Sequence, residues 1–236
     1  MCDLPRTFVN MLYDLINLFF PTYCLACPAV LATSEQWLCT ACVAELPQTN
    51  YHLALDNPAA QKFYGRVPTK YVIAWGRYRK GNAVQKLVHQ LKYKNKPAIA
   101  EAIGKYYGLI LSKMQWARSF DWIVPVPLHA HKLRQRGYNQ SDYFARGLSA
   151  SLAIPWNSQC LQRSKATDTQ IQKGRIARLH NLAHAFSVMD KQAVQGKHIL
   201  LVDDVITTGA TLEACALSLL AVDISSISMA AIGVAE

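Results

Sequence analysis

Acidic side chains are few in this chain: 15 Asp and Glu stand against 25 Lys and Arg, a formal net charge of +10 at pH 7 with histidine neutral. A field of that sign favours anionic ligands, without separating a small polyphosphate from a nucleic acid. Charge of either sign is also sparse, at 17% of residues against 51% hydrophobic, which excludes an intrinsically disordered chain. No apolar run near the amino terminus is long enough to span a bilayer. The longest, Phe8 to Phe20, is interrupted by Asn10, Asp14 and Asn17. It lacks the early basic cluster and small-residue cleavage site of a signal peptide. The segment reads as an amphipathic helix ending before Pro21, packed on its own protein, with a membrane-surface helix as the alternative. A cytoplasmic location is the expectation.

Cysteine, by contrast, is plentiful. Four of the seven fall in two pairs, Cys24-Leu-Ala-Cys27 and Cys39-Thr-Ala-Cys42, separated by eleven residues. Two knuckles at that spacing put four thiolates where a tetrahedral zinc ion needs them. Disulfides do not suit a chain without a secretion signal. The surrounding segment is too short for a hydrophobic core, so metal ligation supplies much of its folding free energy, on the order of 10 kcal/mol. Four sulfur ligands close the site, which makes the zinc structural rather than catalytic. Cys2, Cys160 and Cys215 stand outside the pattern as ordinary thiols. At 236 residues the chain has room for one sizeable core and this appendage. The expected division is 1–60 for the amino-terminal helix and zinc module and 61–236 for the main domain.

The most specific chemistry lies in Ile199 to Thr211, I-L-L-V-D-D-V-I-T-T-G-A-T. Ile199 to Val202 form a strand apolar on both faces, as in a parallel sheet covered by helices. Asp203 and Asp204 follow at its carboxyl end, where open α/β sheets bind ligands. The turn of Thr207, Thr208, Gly209, Ala210 and Thr211 then opens a helix, bringing backbone N–H groups and hydroxyls together on an anion. A phosphate held there leaves its sugar over the two carboxylates, which accept from vicinal hydroxyls. Ribose 5-phosphate suits both halves.

Elsewhere, Pro47 to Pro68 is polar with scattered Pro and Gly and reads as a linker or an irregular docking segment. A strand is expected near Tyr71 to Tyr78, and helices over Ala83 to Lys94 and about Ile99 to Trp116. The first helix buries Val84, Leu87, Val88 and Leu91. On its other faces Lys86, His89, Lys92, Tyr93 and Lys94 read either as a solvated flank or as a stripe binding the backbone of single-stranded DNA, which salt would weaken steeply. A strand over Asp121 to Val124 runs into Pro125-Val-Pro127-Leu128-His129 and then Lys132-Leu-Arg134-Gln-Arg136-Gly-Tyr-Asn139-Gln140. The prolines stop sheet pairing, and Arg134 and Arg136 are suited to a second anion.

CLAC and CTAC, LKYK, VPVPLHAHKLRQRGYNQ and LLVDDVITTGAT occur in an order that resembles the ComF/GntX family, from about Tyr23 to the carboxyl end. Its members pair a four-cysteine zinc module with a domain similar to type I phosphoribosyltransferases. The resemblance implies an α/β fold, a mostly parallel twisted sheet flanked by helices, that binds phosphoribosyl pyrophosphate (PRPP) with magnesium. It implies that Asp203 and Asp204 hold the ribose and that Thr207 to Thr211 hold the 5-phosphate. Pro127, Leu128, His129, Arg134 and Arg136 then meet the pyrophosphate. Residues from Arg163 to Asn181 form a closing loop, with Arg163 and Lys165 as the catalytic candidates. Purine-salvage relatives often carry a base-contacting acid where this chain has Thr207, so the motif is closer to the orotate type and no general base is assigned. The implied activity is phosphoribosyl transfer to an unidentified acceptor. The alternative is a non-catalytic binding module of the DNA-uptake machinery, with single-stranded DNA or competence proteins as partners.

Overall fold

The computed structural model describes residues 20–35, 37–163 and 185–236. Nearly all of the expected amino-terminal helix, Cys2 and most of the expected closing loop, Lys165 included, lie outside the described residues. The described chain runs α1 (Thr40–Ala44), α2 (Pro58–Gln61), β1 (Thr69–Tyr78), α3 (Ala83–Tyr93), α4 (Ala98–Leu111), β2 (Trp122–Pro125), α5 (Ala130–Arg136) and α6 (Gln140–Leu152). It continues through β3 (Leu161–Arg163), β4 (Phe186–Val188), α7 (Lys191–Val194), β5 (His198–Ile206), α8 (Ala210–Leu220) and β6 (Ser226–Ala235).

Four strands form one parallel sheet in the order β1-β6-β5-β2, and β3 with β4 makes a separate antiparallel pair. Helices cover both faces, which is why β5 has no polar alternation. Ile199 and Leu201 pack on one side with Leu212, Cys215 and Leu219 of α8. Leu200 and Val202 pack on the other with Leu87 and Leu91 of α3 and Phe144 of α6. Burying one such side chain contributes about 1.5–3 kcal/mol. The helix α3 buries the four apolar residues its spacing predicts, and Asn82 caps it by accepting from the Gln85 N–H at 2.9 Å.

Helices α4 and α6 approach closely enough that a Cβ at Gly147 would stand 2.2 Å from the Glu101 carbonyl, and one at Gly104 2.5 Å from that of Phe144. This backbone-to-backbone packing fixes the middle of α6, whose first turn borders the site described below. The helix expected to reach Trp116 stops at Leu111: the chain turns there, and Trp116 stacks on Tyr71 of β1 at 4.3 Å. The polar stretch from Pro47 docks on the domain rather than linking past it. Ala59, Ala60 and Phe63 enter the core, and Asn57 Nδ2 donates to the Val72 carbonyl at 3.1 Å. Both sheet edges are met by single bridges, Gln48 to Gly76 on β1 and Trp156 to Ile123 on β2.

Candidate functional site

Strand β5 is longer than its sequence suggests, because β6 pairs with it as far as Ile206 while β2 ends at the Pro125–Val202 pair. Asp203 and Asp204 therefore lie within the strand, just past the point where its β2 neighbour has stopped. That open shoulder is where a ligand meets an α/β sheet. The Asp203 carboxylate accepts from Ser141 Oγ at 3.0 Å and from the Asp204 N–H at 2.8 Å, and Asp204 pairs with Lys92 Nζ at 3.0 Å. Burial, followed by the charge of Asp204, pushes Asp203 up to about 7 against the lowering effect of these donors and of Lys92. Two carboxylates in one partly buried place resist ionising together.

After Ile206 the chain enters the Thr207–Thr211 turn. Gly209 has φ 80°, and a Cβ on it would stand 2.7 Å from Phe63 Cζ, so the turn needs glycine for both conformation and space. Thr207, Thr208 and Thr211 are exposed at the mouth of α8. Behind them, Arg66 donates to the Thr208 carbonyl at 3.2 Å and pairs with the buried Glu213 in the first turn of α8. Glu213 is the acid the helix dipole favours there, and Arg66 ties it to the segment after α2.

The basic segment follows β2 through Val126, Pro127, Leu128 and His129. His129 caps α5, its Nδ1 accepting from the His131 N–H at 3.2 Å. No residue of α5 is buried. Among the described residues, Lys132, Arg134 and Arg136 enter no ion pair. Gly137 ends α5 in the left-handed region, and Asn139 caps α6 while donating to the Val126 carbonyl at 3.0 Å. This clasp joins both ends of the basic loop and delivers Ser141 to Asp203. Arg136 lies over the Tyr93 ring at 5.7 Å. Beside Ser141, burial raises the Asp142 carboxyl to about 6.

Other expected residues are dispersed. Arg163 sits on β3 with its guanidinium 5.3 Å from the Phe186 ring. The expected stripe on α3 is divided: Lys86 donates to the Ala26 carbonyl at 2.6 Å and Lys92 turns to Asp204, while His89, Tyr93 and Lys94 are exposed, the His89 and Tyr93 rings tilted against each other at 4.8 Å. Lys92, Arg66 and Glu213 had no role in the local reading of the site. Ser141 follows the GYNQ motif directly and was its one available signal.

The four cysteines converge, every sulfur within 4.8 Å of every other, and Cys27 and Cys39 at 3.6 Å. A tetrahedral zinc ion with bonds of about 2.3 Å needs sulfurs about 3.8 Å apart, so the donor set fits. Burial opposes ionisation of Cys24, but N–H groups including those of Cys39 and Ala26, at 3.4 and 3.5 Å, bring its thiol down to about 7. Glu35 braces the second knuckle by accepting from Thr40 N and Oγ1 at 2.5 and 2.6 Å.

A parallel sheet carrying an acid pair and a Thr-Thr-Gly turn at the carboxyl end of one strand defines a type I phosphoribosyltransferase domain, and residues 140–232 match the phosphoribosyl transferase domain family. DNA utilization protein YhgH of Salmonella typhimurium is 33% identical over 214 residues, covering 85% of this chain and 91% of that protein. Competence protein F of Haemophilus influenzae is 28% identical over 207 residues, covering 83% and 89%. The glutamine PRPP amidotransferase of B. subtilis is 20% identical, covering 61% of this chain and 30% of that one with a TM-score of 0.43, too loose a likeness to argue from. The chain belongs to the ComF family, in which a phosphoribosyltransferase domain accompanies a four-cysteine cluster.

Proposed function

We propose that this protein binds PRPP at the carboxyl end of β5 and transfers its phosphoribosyl group to an acceptor, with release of pyrophosphate. The observation that carries the reading is the adjacency, on one shoulder of the sheet, of two carboxylates and an exposed Thr/Gly turn at the start of α8. Asp203 and Asp204 accept from the ribose hydroxyls, and Thr207, Thr208, Gly209, Ala210 and Thr211 surround the 5-phosphate. The loop of Pro127, Leu128 and His129, with Arg134 and Arg136, receives the pyrophosphate. In the transfer the bond from C1′ to the pyrophosphate oxygen breaks, its electron pair leaving with that oxygen, and the acceptor bonds to the cationic C1′. The arginines offset the charge of the departing group, and to Arg163, the last residue of β3, and Lys165 we assign the exclusion of water. Magnesium bound with the substrate beside Asp203 and Asp204 would supply further charge neutralisation. The four cysteines hold zinc, which organises the amino-terminal module without entering the reaction. These roles belong to a cytoplasmic protein.

A thermal-shift titration with PRPP and magnesium tests this. Ligand at a hundred times its dissociation constant adds about 2.7 kcal/mol to stability. That gain is expected in the natural protein and lost in Asp203→Asn/Asp204→Asn. An equal gain in both would refute the sugar assignment.

A second reading, single-stranded DNA as partner or acceptor, is favoured by α5, whose basic residues make no ion pair among the described residues and lie beside the exposed Tyr93. Binding through this face weakens steeply with salt, and an oligonucleotide affinity unchanged between low and moderate salt would end it.

A further inference from the structure

The last turn of α3 touches three parts of the site at once. The Leu91 carbonyl, one of the acceptors a helix leaves unpaired at its end, takes the Tyr138 hydroxyl from the foot of the basic loop. Lys92 Nζ reaches Asp204 at 3.0 Å, and the Tyr93 ring underlies Arg136 at 5.7 Å. Three consecutive residues thus hold a side chain on the sugar side and two on the loop side. Underneath, Leu87 and Leu91 anchor the turn in the core, both fully buried.

We propose that Lys92 is a positioning residue for the sugar, holding the Asp204 carboxylate aimed so that both carboxylates of the pair are free to accept from the ribose hydroxyls. This deepens the PRPP reading and rests on it. The physical need arises from the pair itself. Asp203 and Asp204 are consecutive, half-buried and of like charge, and a cation on one lowers the cost of ionising both. Ser141 supplies only a neutral donor to Asp203, so among the described residues Lys92 makes the one ion pair with this carboxylate pair. Among the described residues, Cys215 of α8 also feels the Asp203 charge and carries no positive charge of its own, and Arg163, whose charge reaches Cys215, makes no ion pair with either carboxylate. Lys92 side-chain exposure is 25% and that of Asp204 is 15%, so solvent screens the contact only in part. Lys92 touches no reacting atom in this arrangement; it acts through Asp204.

A double-mutant cycle separates this from a packing role. Affinity for PRPP with magnesium is measured by calorimetry on the full-length, zinc-loaded protein and on Lys92→Met, Lys92→Arg, Asp204→Asn and the Lys92→Met/Asp204→Asn pair. Lys92→Met is expected to weaken binding roughly tenfold, about 1.4 kcal/mol, with Lys92→Arg restoring most of the loss. With Asp204→Asn already present, Lys92→Met is expected to change affinity by less than about twofold. An equal tenfold loss on both backgrounds, or no loss on either, overturns the assignment. Should the natural protein bind no PRPP, the PRPP reading fails first, and the same cycle in urea denaturation of the ligand-free protein isolates the contact. There, Lys92→Met is expected to lower the denaturation midpoint at about pH 8, where carboxylates are charged, and Asp204→Asn to abolish the difference. A midpoint lowered equally with and without Asp204 shows that Lys92 acts by packing alone.

Discussion

Replacing Asp203 by Asn should stabilise the ligand-free protein, and by more as pH rises. Folding carries this carboxyl from its usual 3.8 to about 7, first through burial and then through the neighbouring Asp204. Between those two values the folded protein keeps a proton that the unfolded chain has released. Stability therefore falls as pH rises through the window, by at most about 1.4 kcal/mol per pH unit, and levels off above about pH 7. An asparagine has no such proton to lose, and its carboxamide oxygen keeps the acceptor place facing Ser141 Oγ and the Asp204 N–H. Partial solvent access and the loss of charge-assisted hydrogen bonds reduce the ceiling, leaving a net gain of about 2 kcal/mol at pH 8. Urea denaturation of both proteins from about pH 5 to pH 8, without PRPP, measures the difference directly, since titration of other groups largely cancels. A difference that stays flat over this range, or a variant less stable at pH 8, would refute the claim that burial of a like-charged pair strains the site.

Cys24→Ser should release the metal from the amino-terminal module and open amide exchange up to about Pro47, with PRPP stabilisation of the domain largely retained. Metal analysis and hydrogen exchange read the two effects, and stoichiometric metal in the variant would count against a four-thiolate site. Gly209→Ala forces a side chain into a left-handed turn and against the Phe63 ring, 2.7 Å away, at a cost of about 2 kcal/mol or more. Denaturant unfolding measures it, and a neutral result would mean that the turn relaxes freely.

What the chain disclosed before folding was chemistry confined to a few consecutive residues. Ile199 to Thr211 supplies its own strand, acids, glycine and hydroxyls within one turn of backbone, and the CxxC knuckles are equally self-contained. Apolar spacing on α3 was legible for the same reason, since Val84, Leu87, Val88 and Leu91 report their common face through helical periodicity alone. Partner choice was not legible. Lys92 has the same local surroundings whether it faces DNA, solvent or Asp204, and only the packing of α3 on the sheet decides. Arg66 and Glu213 meet across 147 positions of sequence, and no local pattern marks either one. The end of α4 at Leu111 belongs to the same class, because stacking of Trp116 on Tyr71 requires β1 to be in place. Asp203 and Asp204 lie inside β5 rather than beyond it because β6 is longer than β2, a relation between strands distant in sequence.

The bridges at the two sheet borders bear on how this protein behaves at high concentration. A four-stranded parallel sheet leaves two rows of backbone donors and acceptors that invite a second molecule to add a strand. Here β1 gives its outer groups to the passing segment, with Thr49 N–H donating to the Trp75 carbonyl at 3.1 Å and Arg77 N–H to that of Pro47 at 2.8 Å. On the far side Ile123 is occupied twice, donating to the Pro155 carbonyl at 2.9 Å and accepting from Asn157 at 3.0 Å. Both rows are engaged by irregular, proline-bearing chain that cannot be extended into a further strand. At these positions the apolar sheet that positions the acids offers no free backbone groups to an added strand.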